Sequence, residues 1–200
     1  MIPVGEALDR ILRDVEPLPV QQVPLLDGLG RVLATDIAAR RTQPPMAVSA
    51  MDGYAVRAAD VATVPATLRL IGAVPAGRIF DGQVGPGETV RIFTGAALPA
   101  GADAVVIQED TTADGDRITA TESVAPGRHV RRAGIDFREG EVGLRAGRRL
   151  TARDIGFAAA MNVPWLTVRQ RPRVAILATG DEIALTGDPL APGQIVSSNG

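Results

Sequence analysis

Three carboxylates stand in turns flanked by glycine. They are Asp52 in Ser49-Ala50-Met51-Asp52-Gly53-Tyr54, Asp136 in Ala133-Gly134-Ile135-Asp136, and Glu182 in Thr179-Gly180-Asp181-Glu182. Glycine permits a tight turn or a close approach of the backbone to a ligand. Carboxylates presented in this way suit Mg2+, which takes few protein oxygens and completes its shell with water and phosphate. Turn chemistry alone also sets Asp beside Gly, so each of the three, taken singly, reads more readily as an ordinary turn residue. Glu182 is the best positioned, because it lies just past an apolar run that reads as a strand. Ligands of open α/β sheets bind beyond the carboxyl ends of such strands.

The cations that would complement these acids are all arginine. The chain has 21 basic residues and no lysine, which excludes a P-loop lysine and a Schiff base. Eight arginines fall between residues 128 and 153 (Arg128, Arg131, Arg132, Arg138, Arg145, Arg148, Arg149 and Arg153), against Asp136, Glu139 and Glu141. Guanidinium groups pair with phosphate and other oxyanions through two N–H groups. A solvated basic face fits the same count. Thr94-Gly95 follows the strand-like Arg91-Ile92-Phe93 and offers a hydroxyl and amides to a phosphate, although a plain hairpin-type connection is the favoured reading of these residues alone.

Other chemistries are excluded. There is no cysteine, so disulfides, thiolate catalysis and cysteine-ligated metals are impossible. His129 is the only histidine and no nucleophile-elbow motif accompanies it, which leaves no Ser-His-Asp reading. Aromatics make up 3% of the chain and net charge is −2, so neither base stacking nor a polyanion surface is expected. Tyr54 and Trp165 read as packing residues. The first residues do not resemble a signal peptide, and no apolar run approaches the roughly 18 residues of a membrane span. A cytoplasmic location without a membrane or nucleic-acid partner is the expectation.

The elements that must position these residues follow from the pattern. Val4, Leu8, Ile11, Leu12 and Val15 share one face of a helix over 3–15. A short helix is predicted at 27–34. From about 42 to 150, Gly and Pro punctuate short β-type runs at 68–74, 88–93, 104–108 and 117–120, which suggests a small all-β unit. Thr151-Ala152-Arg153-Asp154 resembles a capping box opening a helix that runs to about Met161. Strands are predicted at 165–169 and 173–178, the latter apolar without alternation, as in a parallel strand covered on both faces.

Five segments in order are similar to signatures of the molybdopterin molybdenumtransferase family. They are Pro44-Pro45 with Ser49-Ala50-Met51-Asp52-Gly53-Tyr54-Ala55-Val56, then Arg91 to Val106 (Arg91-Ile92-Phe93-Thr94-Gly95-Ala96-Ala97-Leu98-Pro99-Ala100-Gly101-Ala102-Asp103-Ala104-Val105-Val106), then Arg131 to Asp136, Thr179 to Glu182, and Gly193 to Asn199. One departure stands at Met46-Ala47-Val48, where the family usually has a Phe-Asp-Asn-type stretch. The resemblance implies an α+β fold. An elongated helical and extended dimerisation segment (1–41 and 137–170) carries an inserted β-rich domain (42–136). The first strand and loop of an α/β molybdopterin-binding domain (171–200) follow.

The activity implied is insertion of molybdate into adenylated molybdopterin with release of AMP, using a divalent cation, Mg2+, as cofactor. The resemblance makes Asp52, Asp136 and Glu182 active-site carboxylates, with Asp52 and Glu182 also metal ligands. Thr94, Arg131, Ser49 and Gly180 become substrate contacts. A homodimer and partner enzymes of molybdenum cofactor synthesis are implied, and these 200 residues alone are expected to be inactive. A non-catalytic dimerisation or scaffold module, or a degenerate paralogue, is the alternative.

Overall fold

The structure is a computed structural model and describes residues 2–198; Asn199, the last residue of the fifth motif, lies outside the described residues. The chain divides into two compact units, one of Gln22–Val168 and one of Met1–Gln21 with Arg169–Gly200.

The larger unit is built mainly from strands. In chain order they are β1 (Val20–Pro24), β2 (Ile37–Ala38), β3 (Val48–Ser49), β4 (Gly53–Val56), β5 (Ala66–Val74), β6 (Glu88–Ile92), β7 (Ala104–Ile107), β8 (Thr111–Asp114), β9 (Arg117–Ala120), β10 (Val130–Arg131), β11 (Val142–Leu144) and β12 (Trp165–Arg169). Six of them form one mixed sheet in the order β7-β4-β6-β5-β9-β8. Only β5 and β6 run parallel within it.

The centre of this sheet, around β4, is buried on both faces, and the period-2 alternation of a strand explains how. In β4, Tyr54 and Val56 face one core with Leu68, Val106 and Ile118. Ala55 points the other way, into a core with Val74, Val90, Ile92 and Val105. Each buried Val or Ile contributes about 1.5–3 kcal/mol, which outweighs the roughly 0.5–1 kcal/mol that Gly53 costs as a strand residue.

A separate core joins segments far apart in sequence. Val23, Leu33, Ile37 and Ala39 pack with Phe137, Leu144, Leu150, Met161, Leu166 and Val168. Pairing of β2 with β11 and of β1 with β12 stitches the same segments together. Helix α2 (Ala152–Ala160) starts at the expected capping box. The Thr151 side chain accepts from the Asp154 amide, and the Asp154 carboxylate accepts from the Thr151 amide at 2.8 Å.

The smaller unit holds α1 (Val4–Leu12) and a two-residue parallel pair, β13 (Ile183–Ala184) with β14 (Ile195–Val196). Helix α1 buries none of its residues.

Two expected elements are absent. No helix spans 27–34: a single 3-10 turn covers Leu25–Gly28, and Val32 and Leu33 form β-bridges to Arg149 and Val168. Gly30 is the reason, because its φ of +73° takes the chain out of the helical region. No strand spans 173–178 either. The run lies outside any ladder, and Val174, Ile176 and Leu177 are exposed. Apolar composition specifies burial, but a strand also needs a hydrogen-bonded neighbour, and no described residue supplies one. Trp165, expected to pack, is 59% exposed, whereas Tyr54 is buried as expected. No helix among the described residues is long and apolar enough to cross a membrane.

Candidate functional site

The Asp52 turn is set by main-chain bonds on both sides. Strand β3 pairs antiparallel with β10, aligning Ser49 with Val130 and Val48 with Arg131. On its other side Ser49 donates its amide to Ala96 and accepts from the Gly95 amide, both at 2.9 Å. The Ser49 hydroxyl, on a residue 1% exposed, donates to the Met51 carbonyl at 2.5 Å and accepts from the Met51 amide at 3.3 Å. The chain therefore folds back on itself just before Asp52. The departure at Met46-Ala47-Val48 is held in the same way, by the Leu98 amide on the Ala47 carbonyl at 2.9 Å and a bridge from Val48 to Ala97.

Asp52 itself is exposed and projects to Thr94, 42 residues along the chain. One carboxylate oxygen, Oδ1, accepts from both the Thr94 amide and the Thr94 hydroxyl, each at 2.8 Å. The Thr94 amide, then its hydroxyl, then the nearby Arg91 charge hold the Asp52 carboxyl below the usual carboxylate range. The Asp52 carbonyl is pinned as well, by the Gln108 amide at 3.1 Å. Asp52 is thus a fixed, ionised carboxylate whose Oδ2 accepts nothing from the described residues.

Gly53 follows directly and explains why the motif is Asp-Gly. Its φ is not positive, so no special turn geometry demands it. The space where a Cβ would sit is filled by the Val106 carbonyl oxygen, with the Ile107 Cα 3.0 Å away. The glycine lets β4 approach β7 and thereby sets where Asp52 leaves the sheet.

Arg131 and Asp136 form a second pair at the end of β10. The arginine Nη2 donates to both Asp136 oxygens, at 2.6 and 2.8 Å. Ser49, Asp52, Thr94, Arg131 and Asp136 are therefore linked through neighbouring strands and turns of one unit. Glu182 and Gly180 belong to the other unit. There Gly180 has φ +140°, and the Glu182 carboxylate occupies the place of its absent side chain.

Two further residues, Arg91 and His129, border the site without having been singled out as site residues by the motifs. Arg91 faces Tyr54 across the β4–β6 register. Its guanidinium carbon lies 4.9 Å from the Tyr54 ring centre and 5.2 Å from that of Phe93, and it donates to the Gln108 side chain. Two rings and an amide make it a rigid cation. The available signal was alternation: an arginine between the buried Val90 and Ile92 must face the other side of the strand. His129 contributes only its carbonyl, which accepts from the Ala50 amide at 2.9 Å. Burial, then the Arg128 charge, lowers its imidazole pKa, and its φ is +57°.

Among the described residues, no group of three or more His, Cys, Asp or Glu converges as a metal cage. A single open carboxylate oxygen on Asp52 fits a mostly hydrated Mg2+ that shares its shell with a phosphate. Beside Arg131 and Gly95 opens a cavity of about 350 Å3.

Comparison with known proteins gives consistent results. Residues 2–162 match the family described as the MoeA N-terminal region, domains I and II. The molybdopterin molybdenumtransferase of Nostoc sp. is 42% identical over 88% of this chain and 42% of its own length. Molybdopterin molybdenumtransferase 2 of Mycobacterium tuberculosis is 40% identical over 88% of this chain and 45% of its own. The crystal structure of the molybdopterin biosynthesis moeA protein from Pyrococcus horikoshii OT3 superposes with a TM-score of 0.91 at 36% identity, covering all of this chain and 54% of that one. The chain spans about half the length of the curated relatives it matches.

Proposed function

The chain belongs to the MoeA N-terminal region family, and from that premise we propose that it forms part of a molybdopterin molybdenumtransferase acting in molybdenum cofactor biosynthesis. The reaction is insertion of molybdate into adenylated molybdopterin with release of AMP. The observation that carries this reading is the Asp52–Thr94 pair: an exposed carboxylate, fixed by two donors on one oxygen, with the other oxygen open.

Roles follow from the geometry. Asp52 offers an oxygen to a hydrated cation, and Glu182, in the smaller unit, is an active-site and metal-binding carboxylate by the same family likeness. Mg2+, when bound, neutralises phosphate charge and stabilises the departing AMP. Thr94 fixes the Asp52 carboxylate in place through two hydrogen bonds to Oδ1. Arg131 attracts the molybdate or phosphate oxyanion, and Asp136 orients its guanidinium through two hydrogen bonds. The buried, internally bonded Ser49 shapes the turn, and Gly180 leaves room for the Glu182 carboxylate. The organisation proposed is the elongated segment with its inserted β-rich domain and the start of a molybdopterin-binding domain. A homodimer in the cytoplasm, served by other enzymes of cofactor synthesis, is the working form.

The test is cofactor reconstitution. A version of the chain extended to the relatives' full length is mixed with adenylated molybdopterin, molybdate and Mg2+. AMP release is followed together with activation of an apo-molybdoenzyme. Asp52→Ala, Asp136→Ala and Glu182→Ala should each reduce both signals by about 100-fold or more while the fold is kept. Full activity in all three variants refutes the site. No signal from the folded, unmutated dimer refutes the transferase and favours a scaffold module.

A further inference from the structure

Arg91 carries a charge that the roles assigned above leave unused. It stands on β6 opposite Tyr54 in the β4–β6 register. Its guanidinium carbon is 4.9 Å from the Tyr54 ring centre and 5.2 Å from that of Phe93. Its side-chain hydrogen bond goes to Gln108, a neutral amide. Among the described residues it forms no ion pair. Two rings and one amide therefore hold a full positive charge in place without neutralising it.

The same contacts set that charge against Asp52. Phe93, whose ring lies by the guanidinium, directly precedes Thr94, which donates twice to Asp52 Oδ1 at 2.8 Å. Gln108, which accepts from Arg91, donates its own main-chain amide to the Asp52 carbonyl at 3.1 Å. Arg91 is the charged side chain whose field reaches the Asp52 carboxylate. Glu109 stands one residue further along, accepting from the Gln108 side chain at 3.2 Å. Arg131, by contrast, is taken up by both oxygens of Asp136.

A fixed cation beside a carboxylate changes what that carboxylate can bind. Asp52 and Arg91 together have no net charge. A free divalent cation approaching Oδ2 is drawn by Asp52 and repelled by Arg91. The arginine cannot shed its proton, and the two rings hold it where it is. A cation that arrives on a phosphate meets the opposite field, because the phosphate is itself attracted to the guanidinium. Mg2+ commonly shares its shell with phosphate in this way.

We propose that Arg91 is an electrostatic selector at the Asp52 site: it turns away a free divalent cation and admits one that comes with a phosphate. Cation and phosphate-bearing substrate then bind cooperatively, not metal first. By linkage, the cation strengthens phosphate binding by the same factor as phosphate strengthens the cation. The inference deepens the transferase reading and rests on it for Asp52 as the cation ligand.

The test uses Mn2+ as the probe on the chain as it stands, read by paramagnetic broadening of the Gly53 and Thr94 amide signals at low salt. Mn2+ alone should bind Arg91→Gln about three- to tenfold more tightly than the unmutated chain. Arg91→Lys, which keeps the charge, should match the unmutated chain. The difference should shrink in roughly 0.5 M salt, where the field is screened. AMP, the phosphate released by the proposed reaction, should raise the Mn2+ affinity of the unmutated chain and raise that of Arg91→Gln less. The sign is decisive: if Arg91 only held the site in shape, its loss would weaken Mn2+.

Unchanged melting temperatures and an unmoved Gln108 amide signal before metal is added certify the fold. Arg91→Met, which keeps an apolar stem beside the rings, repeats the measurement with no polar head. The proposal is overturned if neither neutral variant binds Mn2+ more tightly, if Arg91→Lys behaves like Arg91→Gln, or if AMP helps every variant equally. Broadening that is absent throughout, or that survives Asp52→Asn, removes the cation from Asp52 and takes the proposal with it. Selection by Arg91 without molybdate insertion by the extended, folded chain would sink the transferase reading and leave the proposal standing.

Discussion

Gly53→Ala separates two explanations of the Asp-Gly motif. If glycine were there for turn flexibility, alanine at this non-positive φ would be tolerated, and reduced chain entropy would stabilise the fold by about 0.4–1 kcal/mol. The structure argues for steric exclusion instead. A Cβ at position 53 would overlap the Val106 carbonyl oxygen and approach the Ile107 Cα and Val106 carbonyl carbon to 3.0 Å. These are backbone atoms of β7, and β4 is hydrogen-bonded on its other side to β6, so neither neighbour yields easily. Overpacking of a core by one methyl group costs about 1–3 kcal/mol. An unyielding backbone target sets the cost near the top of that range, for a net destabilisation of about 2 kcal/mol after the entropy gain. A unit of this size loses roughly 2–4 °C per kcal/mol, so the melting temperature should fall by about 4–8 °C. Displacing β7 at residues 106–107 would also move the Gln108 amide that pins the Asp52 carbonyl. Circular dichroism melting gives the first quantity, and amide chemical shifts of Thr94 and Gln108 report the second. A melting temperature that stays level or rises, with both amides unmoved, would refute the steric argument.

Two other outcomes follow from the hydrogen bonds. Thr94→Val removes the hydroxyl donor to Asp52 but keeps the stronger backbone one, so the Asp52 pKa should rise part of the way towards its ordinary value. A carboxyl-carbon NMR titration with an unmoved midpoint would contradict that. Asp154→Ala removes the capping box and should cost about 1–2 kcal/mol; the ion pair to Arg148 adds little, since that arginine is 55% exposed. The Thr151 amide, with Arg148 and the Thr151 hydroxyl, holds the Asp154 pKa low in the folded chain. Its stabilisation is therefore complete above the unfolded value of about 3.9 and fades as pH falls through the lower folded value. Melting followed from pH 6 to pH 2 should show this loss in the unmutated chain and a correspondingly shallower slope in Asp154→Ala. Equal slopes would remove Asp154 from the account.

Sequence alone was enough wherever a signal is local. The capping box from Thr151 to Asp154 is two side chains satisfying two amides within one turn, so spacing suffices to see it. Strands β6, β7 and β9 were legible within a residue or two at their ends, because alternation or apolarity over a few residues reports burial in a sheet directly. The order of motifs, with Asp52, Thr94, Arg131, Asp136 and Glu182 at their centres, was likewise readable from the letters.

Tertiary structure decided what depends on distant partners. It denied a strand to 173–178, since an apolar run becomes a strand only beside a chain that takes its hydrogen bonds. It denied a helix to 27–34, where Gly30 and bridges to Arg149 and Val168 draw the backbone elsewhere. It joined Asp52 to Thr94 across 42 residues, wedged Arg91 beside Tyr54 and Phe93, and opened a cavity beside Arg131. None of these follows from residue spacing, because a folded chain brings groups together by closing loops, and the identity of the partner is settled only when the whole sheet is paired.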